Sequence, residues 1–279
     1  MHVGDIETRA FGIEHLEDAA ALSRQAGWPH RLPDWQTVLD LSQGVVAVNE
    51  TGRVVGTALM TPYGNDCATI NMVIVDARMR GRGVGRHLMD AALKLAGERS
   101  LRLVATAEGL PLYEKLGFRE TGAILQHQGI VGSVAAPGET QTAAPGDLAA
   151  IITLDREAFG ADRSALIARL AEIGEVAVLR RNAGIAGFAC IRAFGRGEVV
   201  GPVVATGIDD AKALVAHFMS RRTGAFLRVD TGAGTGLAPW LIDCSLAHVG
   251  GGVAMARPLP VRPAASTVHT FALANQALG

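Results

Sequence analysis

Residues 80–85 read Arg-Gly-Arg-Gly-Val-Gly, and this stretch decides how the chain is interpreted. It follows an apolar run, Ile70 to Val75, and opens an amphipathic stretch, Val84 to Leu95, which predicts a strand, a loop and a helix in that order. Glycines let backbone N–H groups approach an anion closely, and the start of a helix adds unpaired N–H groups and the positive end of the helix dipole. Arginines at 80, 82 and 86 add positive charge. The stretch therefore favours a cradle for a pyrophosphate.

Two other phosphate-binding loops do not fit this spacing. A Walker loop needs Gly-Lys-Ser/Thr, which does not follow these glycines, and the dinucleotide fingerprint needs Gly-x-Gly-x-x-Gly. Gly81, Gly83 and Gly85 instead alternate with single residues. The remaining alternative is a glycine-rich turn with solvated arginines, and the loop by itself does not separate that turn from a cradle.

A second motif lies further along the chain. Residues 112–118, Leu-Tyr-Glu-Lys-Leu-Gly-Phe, close a short helical segment on a glycine that is followed by an aromatic residue. Together with Arg80-x-x-Gly83-x-Gly85, this motif makes the chain similar to the GCN5-related N-acetyltransferases (GNAT). In that family the first motif holds the pyrophosphate of acetyl-CoA, and the tyrosine of the second lies beside the coenzyme sulfur.

The resemblance implies a set of coenzyme-binding residues. In the family, the strand before the loop splays from its neighbour and supplies a backbone N–H that polarises the thioester carbonyl. By position, this points to the main chain of Val73 and Val75. The residues predicted to bind acetyl-CoA are Val73, Val75, Arg80, Gly81, Arg82, Gly83, Val84, Gly85 and Arg86.

Acetyl transfer to an amine also needs a proton for the departing thiolate and a base for the amine. Tyr113 is the predicted general acid, and the alternative is a core tyrosine at the end of a short helix. His30 titrates in the range that suits a base, Asn71 and Asp66 are other polar candidates, and a water relay would need no side chain. Since the family places acceptor-binding loops between the first helices, Trp28 is predicted to contact the acceptor, together with Asn71.

Composition limits the other possibilities. The chain has 279 residues, which favours two domains, and its hydrophobic content of 49% is ample for buried cores. A net charge of −1 implies no nucleic-acid partner, and the apolar runs are too short to predict a membrane span. The three cysteines are far apart, which predicts neither a disulfide framework nor a metal site. We therefore expect a cytoplasmic protein without a metal.

An internal repeat divides the sequence. Residues 44–60 and 175–191 align without a gap, and each reads as two apolar strands joined by a polar turn, which predicts a hairpin. Residues 133–146, rich in Pro, Gly, Ala and Thr, predict a linker. The expected organisation is a coenzyme-binding GNAT domain at 1–132, the linker, and a second GNAT-like domain at 147–279. The fold class is α/β, with a mixed sheet flanked by helices in each domain.

The second copy lacks the chemistry of the first. It has no Arg-x-x-Gly-x-Gly, and Asp209 and Asp210 near its helix start would repel a pyrophosphate. The resemblance extends to a bacterial subgroup in which an active domain precedes a degenerate one. In the second copy, Arg228 and Asp230 alternate with apolar residues on a predicted strand. They are either a solvent-facing row or a wall that binds the acceptor substrate.

These features predict an acetyl-CoA-dependent N-acetyltransferase that acts on a small amine. Because no cysteine lies in either motif, direct transfer in a ternary complex is favoured over an acyl-enzyme. The alternatives are a non-catalytic acyl-CoA-binding sensor and a protein N-acetyltransferase. A homodimer is compatible with the sequence.

Overall fold

The computed structural model describes residues 6–182, 184–258 and 266–279. By their internal contacts, these residues form two compact units. The first unit runs to Leu103 and also includes Leu278, and the second runs from Val104 to Ala277 and also includes Gly279.

The first unit contains five strands and three helices. The strands are β1 (Ile6–Ala10), β2 (Gln43–Asn49), β3 (Val54–Tyr63), β4 (Cys67–Val75) and β5 (Ser100–Ala105), within which the division between the units falls. The helices are α1 (Leu16–Gln25), α2 (Leu32–Asp40) and α3 (Val84–Ala96). The strands pair in the order of the chain, antiparallel from β1 to β4, and β5 runs parallel to β4.

Helix α3 forms because its apolar residues recur at helical spacing. Val84, Leu88, Met89, Ala92 and Ala96 are all buried, and they form one face that packs on β2, β3 and β4. This packing fixes the start of α3 directly after the arginine-glycine loop. The mixed sheet with flanking helices, as predicted, is confirmed.

Helix α2 begins at Leu32, whereas the apolar pattern of its sequence predicts a start at Trp35. Pro33 fits the first turn, where a backbone N–H would have no partner in any case. The Asp34 carboxylate accepts hydrogen bonds from the backbone N–H of Arg31 at 2.8 Å and from its guanidinium. The apolar periodicity of the sequence begins at Trp35, so it does not indicate the capping turn before that residue. The fully buried indole of Trp35 donates to Ser23 Oγ at 2.9 Å.

The second unit repeats the order of elements. Its helices are α4 (Leu110–Lys115), α5 (Leu148–Phe159), α6 (Ser164–Ile173), α7 (Ile208–Met219) and α8 (Leu237–Asp243). Its strands are β6 (Arg119–Ile130), β7 (Thr140–Thr142), β8 (Gly174–Arg181), β9 (Gly184–Phe194), β10 (Gly197–Ala205), β11 (Phe226–Gly232), β12 (Ala247–Arg257) and β13 (His269–Ala272). They pair in the order β12-β6-β11-β13-β10-β9-β8-β7.

The repeated hairpins are β2–β3 and β8–β9, both antiparallel. The segment predicted as a linker is partly structured, because it contains β7, which pairs with β8 along Thr140–Thr142. By contacts, β6 belongs to the second unit, where it lies between β11 and β12. The domain limits drawn from the sequence stay a prediction.

The core of the second unit is continuous and apolar. Ala211, Leu214, Val215 and Phe218 recur at helical spacing on α7, and all four are fully buried in this core. This unit also contains a buried ion pair between Arg163 and Asp155: Arg163 donates to the Asp155 carboxylate at 2.6 Å and 3.0 Å, and its guanidinium lies 3.9 Å from the centre of the Phe159 ring. Among the described residues, no helix has the length and apolar character to cross a membrane.

Candidate active site

The arginine-glycine loop lies between β4 and α3, at residues Asp76–Gly83. Gly81 and Gly83 have φ values of 73° and 83°, in the left-handed region that favours glycine. A Cβ at either position would have no described atom within 4 Å, so both face open space. Since α3 begins at Val84, its first N–H groups have no partner within the helix. The loop thus combines exposed backbone with a helix start, as a pyrophosphate cradle requires.

Asp76 anchors the beginning of this loop. Its buried carboxylate accepts from the backbone N–H of Arg78 at 2.9 Å and from the Arg78 guanidinium at 3.0 Å. Hydrogen bonding from Arg78 stabilises the ionised form and lowers the pKa of Asp76 to about 2. The carboxylate therefore fixes the turn from which the cradle leaves β4.

We expect Asp76→Asn to lower the free energy of unfolding by about 1–2 kcal/mol at pH 7, because the lowered pKa of Asp76 reflects favourable contacts in the folded state. A carboxyl with a lowered pKa stabilises the fold above its unfolded pKa, near 4, and loses that contribution as the pH falls toward 2. Denaturant titrations of variant and wild type should therefore converge between pH 4 and pH 2. The exposed Asp209, changed to Asn, is the control. A gap that does not depend on pH would contradict the anchoring role.

The arginines of the loop are exposed. Arg80 Nε lies 3.4 Å from the carbonyl oxygen of Val75, and Arg86 donates to Asp90 at 3.0 Å. Arg82 is also exposed. The three guanidinium groups lie at the surface of the cradle, where their positive charge would attract phosphate groups.

Strand β4 has one edge that is mostly unpaired. Its parallel pairing with β5 covers Cys67–Thr69 against Ser100–Arg102 and, in the described part of the chain, goes no further. The two strands therefore separate before Val73 and Val75, both half-buried. This separation leaves main-chain groups of β4 for an extended ligand, at the strand where the family resemblance implies contacts with acetyl-CoA.

Tyr113 lies on α4, in the second unit. Its ring packs edge-on against Phe118, with ring centres 6.1 Å apart, and also lies against Gly109, where a Cβ would come within 2.8 Å of ring carbon Cε2. Burial raises the pKa of the phenol to about 12. No residue in the described ranges hydrogen-bonds its hydroxyl, and burial is the cause of its raised pKa. The tyrosine therefore stays protonated at neutral pH, with a hydroxyl that can donate.

The raised pKa also limits what this hydroxyl can do. A hydrogen bond from the neutral phenol to the departing thiolate needs no proton transfer, whereas complete transfer needs a thiolate whose own pKa is also raised by the desolvated site. The assignment of Tyr113 as the general acid stays a prediction.

Among its described residues, the second unit has no equivalent cradle. Only Thr206 and Gly207 separate β10 from α7, whereas Asp76–Gly83 separate β4 from α3. The Asp210 carboxylate occupies the start of α7, where it accepts from Thr206 Oγ1 at 2.9 Å and from Arg181 at 2.9 Å. The first turn of α7 therefore carries a negative charge of its own, as its sequence indicates.

The second unit also fills its own strand separation. β10 and β11 run parallel at Glu198–Val199 and then diverge, and β13 lies between them, paired antiparallel with both. The backbone N–H of Leu273 donates to the Asp230 carbonyl at 2.8 Å, and Thr231 Oγ1 donates to the Phe271 carbonyl at 2.7 Å. In the second unit, β13 therefore pairs with the main-chain groups that correspond to the unpaired groups of β4.

We therefore expect one acetyl-CoA per chain. Calorimetric titration of the full chain should give a stoichiometry near one, since the short loop, Asp210 and β13 all oppose a second site. Two equivalent sites per chain would show that the degenerate copy still binds coenzyme.

Comparisons with known proteins agree with this geometry. The profile of the Acetyltransferase (GNAT) family matches residues 8–118, and that of an Acetyltransferase (GNAT) domain matches residues 151–268. The chain belongs to the GNAT family. It is an N-acetyltransferase with two tandem GNAT domains. The resemblance drawn from the two motifs is confirmed.

Individual relatives of this GNAT protein match it over most of its length or over a part of it. An uncharacterized N-acetyltransferase of Bacillus subtilis (strain 168), YitH, is 28% identical over 225 residues, which cover 78% of this chain and 79% of the relative. A glucosamine 6-phosphate N-acetyltransferase of Trypanosoma brucei brucei is 27% identical over 128 residues, 43% of this chain and 86% of that protein. The crystal structure of a putative acetyltransferase from Pyrococcus horikoshii has a TM-score of 0.82 at 16% identity, covering 100% of this chain and 98% of that one.

Two of the predicted site residues of the GNAT protein's first unit, Trp28 and His30, lie in an aromatic cluster. His30 packs between two tryptophans, with ring centres 5.6 Å from Trp28 and 6.4 Å from Trp35. Phe11 continues the cluster, 5.8 Å from Trp35. Trp28 and His30 are half-buried. These contacts position His30 by packing, and its assignment as the base stays a prediction.

Asn71 is buried on β4. Its amide nitrogen donates to Thr61 Oγ1 at 2.8 Å and to Thr69 Oγ1 at 3.3 Å, and Thr61 Oγ1 also lies 2.6 Å from Ser42 Oγ. In the described chain its amide oxygen has no hydrogen-bond partner. Asn71 thus offers a buried hydrogen-bond acceptor two residues before Val73. Its contact with the amine substrate stays a prediction.

Arg228 and Asp230 do not form a solvent-facing row. Asp230 is fully buried and Arg228 nearly so, and the guanidinium donates to the carboxylate at 2.9 Å and 3.0 Å. Gln276 Nε2 donates to Asp230 at 3.0 Å and to Gln126 Oε1 at 3.2 Å. The alternation of polar and apolar residues suggested exposure, but pairing between the two side chains permits burial. Their role in binding the acceptor stays a prediction.

Three features of the site were not identified from the sequence. They are the anchoring role of Asp76, the bulge in β4 described below, and the position of β13. Asp76 had a signal, since an Asp directly after a strand and two residues before Arg78 is typical of a local turn. The bulge and the position of β13 depend on pairing between residues that are distant in the chain, and no short sequence motif indicates such pairing.

Proposed function

We propose that this GNAT protein transfers the acetyl group of acetyl-CoA directly to a small primary amine. The observation that carries the proposal is the open cradle formed by Gly81, Gly83 and the start of α3, directly after a strand with a free edge. The trypanosomal relative is named for activity on the amino sugar glucosamine 6-phosphate, which supports a small acceptor.

In this proposal each predicted residue has a limited task. The cradle holds the pyrophosphate of acetyl-CoA through backbone N–H groups, with Arg80, Arg82 and Arg86 adding charge. The backbone N–H of Val73 donates to the thioester carbonyl, on which negative charge develops as the amine nitrogen attacks. The carbon–sulfur bond then breaks, and the hydroxyl of Tyr113 stabilises the thiolate. The proton lost by the amine passes to water or to His30.

The second GNAT domain has a supporting role in this proposal. Since β13 and Asp210 oppose coenzyme binding there, its buried Arg228–Asp230 pair is available to shape the binding site of the acceptor.

Direct transfer also agrees with the cysteines, because Cys67, Cys190 and Cys244 are all buried. For Cys190 and Cys244, burial also raises the pKa of the thiol, which disfavours an acyl-enzyme.

The test is an amine-dependent release of free thiol from acetyl-CoA. The full chain would be incubated with acetyl-CoA and a panel of amino sugars, their phosphates, amino acids and polyamines, with products identified by mass spectrometry. The proposal expects an N-acetylated small amine and equal amounts of free coenzyme A. Binding of acetyl-CoA without transfer to any amine would point to a sensor. Transfer confined to lysine side chains of added proteins or peptides would point to a protein acetyltransferase.

A further inference from the structure

Strand β4 contains a bulge directly before its free edge. In the antiparallel pairing with β3, Thr57 lies opposite Ile74 and Leu59 lies opposite Asn71. Ala58 therefore faces two residues of β4, Met72 and Val73, which defines a β-bulge. Bulges bend a strand and redirect its main-chain groups, so this one sets the direction of the peptide that we propose as the polariser.

The bulge has an unfavourable backbone conformation. Met72 has a φ of 48°, in the left-handed region that residues with a side chain rarely adopt. Such a conformation costs roughly 1–2 kcal/mol and persists only where surrounding contacts impose it. Met72 is also buried, so its carbonyl needs a partner within the protein.

The hydroxyl of Thr57 provides that partner. Thr57 Oγ1 donates to the carbonyl oxygen of Met72 at 2.6 Å, and Thr57 has no solvent exposure. Water does not compete with this hydrogen bond, and its loss would leave a buried carbonyl unsatisfied, at a cost of about 1–3 kcal/mol. The bond therefore holds the bulge in one conformation.

The carbonyl of Met72 and the N–H of Val73 belong to the same peptide group. The group is planar, and in the trans form its C=O and N–H point in opposite directions. A hydroxyl that fixes the carbonyl therefore also fixes the N–H, which points away from Thr57. Donation to the carbonyl also polarises the amide, which strengthens the N–H as a donor.

We propose that Thr57 is a positioning residue for acetyl transfer: its hydroxyl orients and polarises the Met72–Val73 peptide, so that the Val73 N–H donates to the thioester carbonyl. This inference rests on the proposed function. Thr57 does not touch the reacting atoms; it acts through a peptide whose other end is the predicted donor.

The test is infrared difference spectroscopy of the full chain with acetyl-CoA labelled with carbon-13 at the thioester carbonyl, in the absence of amine. In the wild type, a hydrogen bond from Val73 should lower the carbonyl stretching frequency relative to free acetyl-CoA. Thr57→Val, which keeps the shape and removes the hydroxyl, should reduce this shift. Thr57→Ser, which keeps the donor, should restore most of it. Should Thr57→Val fail to fold, Thr57→Cys, with its weak donor, should give an intermediate shift.

Kinetics should follow the spectra. Loss of an oxyanion donor costs about 10²- to 10³-fold in kcat, and here the donor is loosened rather than lost, so we expect kcat of Thr57→Val to fall about tenfold. The dissociation constant of acetyl-CoA and the KM of the amine should change less than about twofold, because the cradle is untouched. Thr37→Val is the matched control, since it also removes a buried hydroxyl that donates to a carbonyl, that of Pro33 at 2.9 Å. It should lower stability and leave kcat and the carbonyl frequency unchanged.

The outcomes separate the two ideas. A wild type that transfers acetyl groups and shows the carbonyl shift, with Thr57→Val unchanged in both shift and kcat, would overturn the role of Thr57 and leave the proposed function standing. A wild type that binds and transfers without any carbonyl shift would overturn the role of Val73 and of Thr57 with it. A wild type that neither binds nor transfers would overturn the proposed function itself.

Discussion

Tyr113→Phe should lower kcat about 100-fold, the usual effect of removing a group that assists proton or charge movement in the transition state. The dissociation constant of acetyl-CoA should change less than about twofold, because the sulfur of an intact thioester is a weak acceptor. Only the departing thiolate takes a strong hydrogen bond from the phenol, so the hydroxyl acts on the transition state and not on binding. Single-turnover kinetics with saturating amine would measure the chemical step itself.

The Phe variant should be as stable as the wild type. No residue in the described ranges hydrogen-bonds the hydroxyl, and the ring contacts with Phe118 and Gly109 are kept. A thermal melt is therefore the control for folding. Near-normal turnover with chemistry rate-limiting would make Tyr113 a packing residue, and another group would then stabilise the departing thiolate.

Gly83→Val should weaken the binding of acetyl-CoA about 100-fold. A side chain at Gly83 would point into open space at the start of α3, where it would hold the pyrophosphate away from the backbone N–H groups. Each charge-assisted hydrogen bond contributes about 1.5–3 kcal/mol, so the loss of one or two accounts for this factor. Calorimetry with acetyl-CoA, and with coenzyme A alone, would measure it.

Gly52→Val is the matched control for this substitution. Gly52 lies in the turn between β2 and β3, is exposed, has a φ of 79°, and also has no described atom within 4 Å of a Cβ. Both variants therefore carry the same backbone strain, and both should lose similar stability. Equal affinities of the two variants for acetyl-CoA would show that the loop at 80–85 is not the cradle.

The parts of the structure that were predictable from the sequence depend on local patterns. Strand β4 and helix α3 have clear apolar periods, and the glycines between them have no other common explanation once the Tyr113 motif is added. The repeat was visible because both hairpins keep the same alternation and spacing. Local order of this kind depends on neighbours within a few residues, which a sequence shows directly.

The features that were not predictable depend on partners distant in the chain. The Thr57 hydroxyl meets the Met72 carbonyl only after β3 pairs with β4 with one extra residue. β13 fills the second copy through pairing with β10 and β11, and Asp230 is buried because Arg228 and Gln276 satisfy it. The predicted linker gave no periodic signal, and three of its residues form an edge strand that β8 stabilises. The sequence showed where the polar and apolar residues are, but not which of them would pair.

An experimental structure of the full chain with acetyl-CoA bound tests the central claim most directly. We expect one coenzyme per chain, with its pyrophosphate on the N–H groups at the start of α3 and its thioester carbonyl oxygen about 2.7–3.1 Å from Val73 N. β13 should remain paired with β10 and β11. A coenzyme whose pyrophosphate lies at the start of α7, or whose thioester lies away from the free edge of β4, would contradict the account.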